Sequence, residues 1–331
     1  MHYTRHMHAF SYIYKFLTIT LTIVLFGGCA STPPSLNSTT WLYGVHSDSS
    51  QFSRHTPIIA INDGEQSFNH IGKAIARYNE KGKEEILITT GQASFYTDQQ
   101  TFQTARGNYT NLIYRFHFPR VPYRLIPFYL TAGKNGGLLV IVTLNEQEQP
   151  ILFTTVHTCG CYLAMLPSNF LPEDAYPENW PTEQQHVYGE TLPVRLNFPE
   201  PYENEWQPLI HLRSGTHRVM DVSVVDIRKQ TLTEVNLLPV EQLYQLPLDS
   251  SHTSFFHMDG RNKGYVKGSV KPWERLLMSW WALDWRIGSD KALEPSQENG
   301  AVFYTSLKPW QRKASNLADF PRFLTYWGWR L

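Results

Sequence analysis

Residues 108–118 (NYTNLIYRFHF) place Leu112, Tyr114, Phe116 and Phe118 on one side of an extended chain and Arg115 and His117 on the other. A period of two predicts a strand with one face turned to a core. Two runs, 138–144 (LLVIVTL) and 151–158 (ILFTTVHT), are apolar and β-branched for most of their length, and the polar stretch 145–150 (NEQEQP) between them predicts a hairpin. Residues 86–90 (ILITT) make a short β-prone run, and 211–225 predicts a second hairpin turning at Ser214-Gly215. Residues 69–80 read as a short helix. Prolines recur through 167–208, which marks a long folded-over connection rather than regular structure.

The pattern changes near residue 269. Seven of the ten tryptophans lie between Trp273 and Trp329. Trp273, Leu276, Leu277, Trp280, Trp281 and Asp284 follow helical spacing, with Pro272 suited to the first turn and Gly288 to the end. A stripe of that kind is expected to face a core. The alternatives are a membrane surface, because basic residues flank the aromatics, or stacking platforms for a glycan. A second helical stretch is expected over 308–324, interrupted at Pro321. The fold class predicted is α+β: a β-rich body of antiparallel hairpins over 41–268, and an aromatic-rich, partly helical C-terminal part, 269–331, packed on it.

The N-terminal pattern is of another kind. Residues 1–15 carry Arg5, Lys15 and three histidines without an acid, 16–26 (FLTITLTIVLF) are uncharged, and Gly27-Gly28 precede Cys29. That order predicts a signal peptide, 1–28, too short for a transmembrane helix. The 25–30 segment (LFGGCA) resembles a lipobox, with Leu25 one place earlier than usual, so Cys29 is the expected lipidation site. Several acyl chains anchor stably. Ala30 in place of Asp favours the outer membrane facing the periplasm, and residues 29–40 form a small, polar, proline-broken tether.

Removal of the leader leaves 303 residues with 27 basic and 29 acidic side chains. Such a balance carries no footprint for nucleic acid. Charged residues at 18 % are sparse and aromatics at 14 % plentiful, as in a well-packed globular chain. With Cys29 committed to lipid, Cys159 and Cys161 are the remaining cysteines. In an oxidising envelope two such thiols are expected to pair.

These cysteines belong to the segment 155–162 (TVHTCGCY). On an extended strand His157, Cys159 and Cys161 project from one face, with Gly160 free to bend the chain between the thiols. Four chemistries fit: a structural disulfide, a zinc or copper(I) site, a thiol-redox couple tuned by His157, and a cysteine nucleophile with His157 as base. A bridge needs a kink at the glycine. A metal needs a further ligand, for which His117 and His217 are the candidates. The segment departs from the Ser/Thr-His-Gly-Cys element of L,D-transpeptidases, having Cys159 where the histidine belongs and Leu163 where Arg or Asn belongs.

Segments 109–118, 133–138 (GKNGGL), 154–162, 187–190 (VYGE) and 273–277 (WERLL) together resemble a group of uncharacterised proteobacterial lipoproteins. The resemblance covers most of the chain after the leader and implies no activity, so catalytic residues are not assigned. Two functions are expected. One is a lipid-anchored envelope protein that binds or supports another envelope protein or a glycan without catalysis. The other is a redox or metal-dependent envelope protein centred on His157, Cys159 and Cys161.

Overall fold

A computed structural model describes residues 39–46, 50–293 and 301–331. The expected signal peptide, the lipidation site Cys29 and most of the tether lie outside the described residues. In chain order the principal elements are β1 (Trp41–Gly44), α1 (Gln51–Arg54), β2 (Ile58–Ile61), β3 (Ser94–Thr104), β4 (Gly107–His117), β5 (Gly137–Leu144), β6 (Pro150–His157) and β7 (Ala164–Pro167). They continue with β8 (Trp206–Leu212), β9 (Val219–Asp226), β10 (Thr233–Glu234), β11 (Asn236–Pro239), α2 (Pro272–Ala282) and α3 (Phe320–Tyr326).

Two sheets form the body. One has the order β9-β8-β2-β1-β10, the other β7-β6-β5-β4-β3-β11. The larger sheet is an antiparallel meander from β3 to β7, to which β11 adds in parallel beside β3. The predicted hairpins are present: β5 and β6 pair with Val142 opposite Phe153, and β8 and β9 pair across a turn at Ser214-Gly215.

A shared core explains the pairing of the sheets. Tyr43, Ile59, Ile61, Ile210 and Val222 from the smaller sheet meet Phe95, Leu112, Tyr114, Phe116, Val140 and Phe153 from the larger. The opposite face of the larger sheet is covered as well. Ile113, Leu139, Ile141, Leu152 and Val156 pack under Phe303, Leu317, Phe320, Phe323 and Leu324. Both faces of β5 and β6 are therefore dry, and every residue of these two strands is buried. Their near-continuous apolar sequences follow from that placement, since alternate side chains feed two different cores.

Four local expectations are corrected. Residues 73–78 are a strand, not a helix, paired with 84–89. The turn between them is built by Asn79, whose Oδ1 accepts from the backbone N–H groups of Lys81 and Lys83, a local competitor to helix. Pro321 does not interrupt a helix but lies in the first turn of α3, where its missing N–H costs nothing. Gly288 does not end α2, which stops at Ala282 with Leu283 in the left-handed region. Instead the chain at Gly288 runs so close to Lys271 and Glu274 that a side chain would crowd both. The fourth correction concerns the tryptophan stripe. Glu274, Ser279 and Ala282 are the buried side of α2, while Leu276, Leu277, Trp280 and Trp281 are exposed.

The outer layer tests the two-faced sheet. Phe323 is fully buried against that face. Phe323→Ala is expected to cost about 3–5 kcal/mol in urea unfolding, the usual range for a buried aromatic truncated to alanine. A cost below about 1 kcal/mol would mean that the C-terminal layer is not part of the cooperative core.

Candidate functional site

Strand β6 ends at His157, and the chain turns immediately. The His157 N–H donates to the Cys161 carbonyl at 2.9 Å and the Gly160 N–H to the His157 carbonyl at 2.7 Å. Gly160 has φ +93°, and a Cβ there would stand 2.2 Å from the Tyr304 carbonyl oxygen, so this position requires glycine. The extended arrangement expected for His157, Cys159 and Cys161 is thus replaced by a turn. That turn brings the two cysteine Cα atoms to 5.6 Å, and their sulfurs are bridged. The kink expected at the glycine is what makes closure possible.

The turn sits on a group of charges that the tertiary fold buries. Asp290 is inaccessible and accepts from Thr158 Oγ1 at 2.7 Å, from Lys271 Nζ at 2.9 Å and from Ser269 Oγ. Burial alone would raise its carboxyl; Lys271 and these three hydrogen bonds outweigh that and hold it below the usual carboxylate range. Lys291, equally buried, donates from Nζ to the Cys159 carbonyl at 2.6 Å and lies 4.0 Å from the centre of the Tyr304 ring. Burial pushes its ammonium down to about 8. The Lys291 carbonyl in turn accepts from Arg115 Nη1 at 2.8 Å.

The histidines are held in the same network. His117 Nε2 accepts from Arg115 Nε at 2.8 Å, and its Nδ1 lies 3.1 Å from the Asn135 carbonyl, which fixes a neutral tautomer with both nitrogens engaged. His157 Nε2 donates to the His217 carbonyl at 3.0 Å. The His217 ring stacks on Phe118 at 3.7 Å and reaches Asn69 Oδ1 at 3.2 Å. Burial drives the three imidazoles to about 3, 4 and 3 for His117, His157 and His217, reinforced by Arg115, Lys271 and His157 respectively. A second buried ion cluster adjoins this one. Glu190 accepts from Arg213 Nε at 2.6 Å and Arg218 Nη2 at 3.0 Å, and Arg218 lies over the Tyr162 ring, which meets His157 edge-on.

Among the described residues, potential metal-ligand atoms gather within 4.8 Å at Cys159, Cys161 and Glu274; His157, His117 and His217 stand outside that group. Burial raises the Glu274 carboxyl, with Lys271 opposing, and its Oε2 has no hydrogen-bond partner among the described residues. The bridged sulfurs offer no thiolate. A zinc or copper(I) ion would therefore find this donor set only in the reduced chain.

The cysteine motif was legible in the sequence, but Lys271, Glu274, Asp290 and Lys291 were not. Each sits among polar or helical neighbours, where a charge ordinarily points to water. Glu274 falls beside Leu277 and Trp281 in helical spacing, so periodicity gave no sign that its carboxylate is enclosed.

No family model, no curated protein and no solved structure matches this chain. No described helix is long and apolar enough to cross a membrane.

The buried imidazoles make stability depend on pH with a definite sign. Their folded pKa values lie below the unfolded value of about 6.5, so the unfolded chain binds more protons in the window between. Their contribution is complete above about pH 6.5 and is lost as pH falls toward 3–4. Each histidine that stays neutral when folded is expected to remove about 1.4 kcal/mol per pH unit across that window. Urea unfolding of wild type and His217→Gln at pH 7.5, 6.5 and 5.5 checks this. The variant should lose part of the slope, and a flat wild-type profile would contradict neutral buried imidazoles.

Proposed function

We propose that this chain is a lipid-anchored cell-envelope protein that binds or supports another envelope component without catalysis. In this reading it belongs with the uncharacterised lipoproteins it resembles, with Cys29 acylated and the body held at the outer membrane facing the periplasm. The observation that carries the non-catalytic part is the commitment of the motif's polar groups to the fold. Thr158, the Cys159 carbonyl and His157 all spend their hydrogen bonds inside the core, as does His117 on the neighbouring strand β4. Support also comes from the segments that carry the resemblance. They contribute Arg115, His117, Asn135, Thr158, Glu190 and Glu274 to the two adjoining buried clusters. In this reading the motif is a structural hub, and function lies on the surface of the molecule.

A second reading is favoured by one feature, the Glu274 carboxyl beside the disulfide. A thiol-redox role would have a partner dithiol reduce the Cys159–Cys161 bridge by exchange, with Glu274 holding a proton near the sulfurs. The reduced pair with Glu274 would also be the donor set for zinc or copper.

Two measurements separate these readings. For the anchor, Cys29→Ser should move the protein from the membrane fraction to the soluble fraction; unchanged retention would remove the lipid from the account. For the cysteines, thiol labelling of native protein titrated with dithiothreitol and glutathione is expected to find no thiols until the protein is unfolded. Reversible labelling at mild reducing potential, or one equivalent of zinc taken up on reduction, would replace the structural reading with the redox or metal one.

A further inference from the structure

We propose that the outward face of α2, together with the loop at 123–126 and the turn bearing Trp310, lies on a lipid bilayer containing anionic headgroups. The helix is inverted with respect to ordinary packing. Its buried side holds Glu274, Ser279 and Ala282; its outward side presents Leu276 and Trp280 at 65 % and 70 % exposure, followed by Leu283 and Trp285 at 72 % and 78 %. Scattered exposed apolar residues need no explanation, but a contiguous large face does. Nor is the helix free to roll. Glu274 is enclosed within the buried hub, and Arg275 Nη2 donates to Ser289 Oγ at 3.0 Å.

Two neighbours extend the face. Phe128 packs edge-on against Trp273, so the loop with exposed Tyr123, Leu125 and Ile126 adjoins the first turn of α2. At the other end Arg312 donates to the Ala282 carbonyl, which ties down the segment bearing exposed Trp310.

Charge selects the occupant. A cleft of about 470 Å³ opens beside α2, lined by Arg261, Arg275, Arg286, Tyr265 and Trp285 among others, with no carboxylate in its wall. Lys308 and Lys313 are exposed on the segment that carries Trp310. Protruding indoles bordered by guanidinium and ammonium groups match the headgroup region, where indole straddles acyl chain and water and the cations meet phosphate. With no described helix long enough to span, the contact is one that lies on the membrane. The inference uses the anchored reading only to supply a nearby bilayer. The ten Cα-to-Cα steps from Cys29 to Thr39 reach at most about 35 Å.

Flotation with vesicles tests it without the lipid anchor. Every described core cluster lies within residues 41–331, so the chain from residue 29 carrying Cys29→Ser keeps the whole folded unit. It is expected to float with phosphatidylethanolamine–phosphatidylglycerol vesicles at low salt, more weakly with phosphatidylcholine. Brominated acyl chains should quench its tryptophan emission. Trp280→Ser/Trp281→Ser, at exposed positions, should weaken binding about tenfold or more with an unchanged melting temperature, and Arg261→Ser should reduce the preference for anionic lipid. Absence of flotation with both vesicles would overturn the proposal, as would flotation without quenching or undiminished by the double substitution. Self-association or glycan retention abolished by the double substitution, with no vesicle binding, would assign the face to a second copy or to a glycan instead. Membrane release of Cys29→Ser in cells is a separate readout, so failure of the anchor and failure of the docking face are distinguishable.

Discussion

The carboxylate of Asp290 is the point on which the rest of the molecule depends. It is removed from water altogether, and that is tolerable only because Lys271, Thr158 and Ser269 satisfy it at once. Those partners come from distant parts of the chain. Thr158 belongs to the turn after β6, whereas Ser269 and Lys271 lead into α2. The ionic contact therefore joins the β body to the C-terminal segment, and it sets where α2 begins. Lys291, the next residue, extends the junction to the disulfide turn through the Cys159 carbonyl and to β4 through Arg115.

Around that junction the larger sheet is enclosed on both faces, so its central hairpin has no wet side on which to place charged groups. The basic side chains that β4 and β6 carry, Arg115 and His117 on β4 and His157 on β6, collect at one end of the sheet. There they meet the turn and the residues of the C-terminal segment. Burying so many polar groups works because nearly every one finds a partner. Among the described residues several buried side-chain atoms lack one, Thr155 Oγ1 and Arg218 Nε among them; at Glu274 the Oε2 lacks a partner and burial favours the neutral form. The same geometry turns α2 outward. With Glu274 inside the hub, Leu276, Leu277, Trp280 and Trp281 have only the exterior left.

Much of the body was legible from residues alone. Alternation marked β4, the two apolar runs marked the β5–β6 hairpin, and Ser214-Gly215 marked the β8–β9 turn, since each signal depends on side chains adjacent in sequence. Residues 69–80 misled because their alanines and charged residues suit a helix, while the Asn79 turn and pairing with 84–89 decided for a strand. The helix at 272–282 was legible as a helix, but its orientation was not. Periodicity locates an apolar stripe without saying what faces it.

By itself the sequence determined the strands with strict periods, the presence of a helix beginning at Pro272 and the need for a kink at Gly160 if Cys159 and Cys161 are to be bridged. These follow from local backbone geometry. Only the tertiary structure decided that Asp290, Lys271, Glu274 and Lys291 are interior, that His117, His157 and His217 serve the network around the turn, and that Trp280 and Trp281 of α2 face outward. Burial of a charge depends on which distant groups arrive to compensate it, and no local pattern records that arrival.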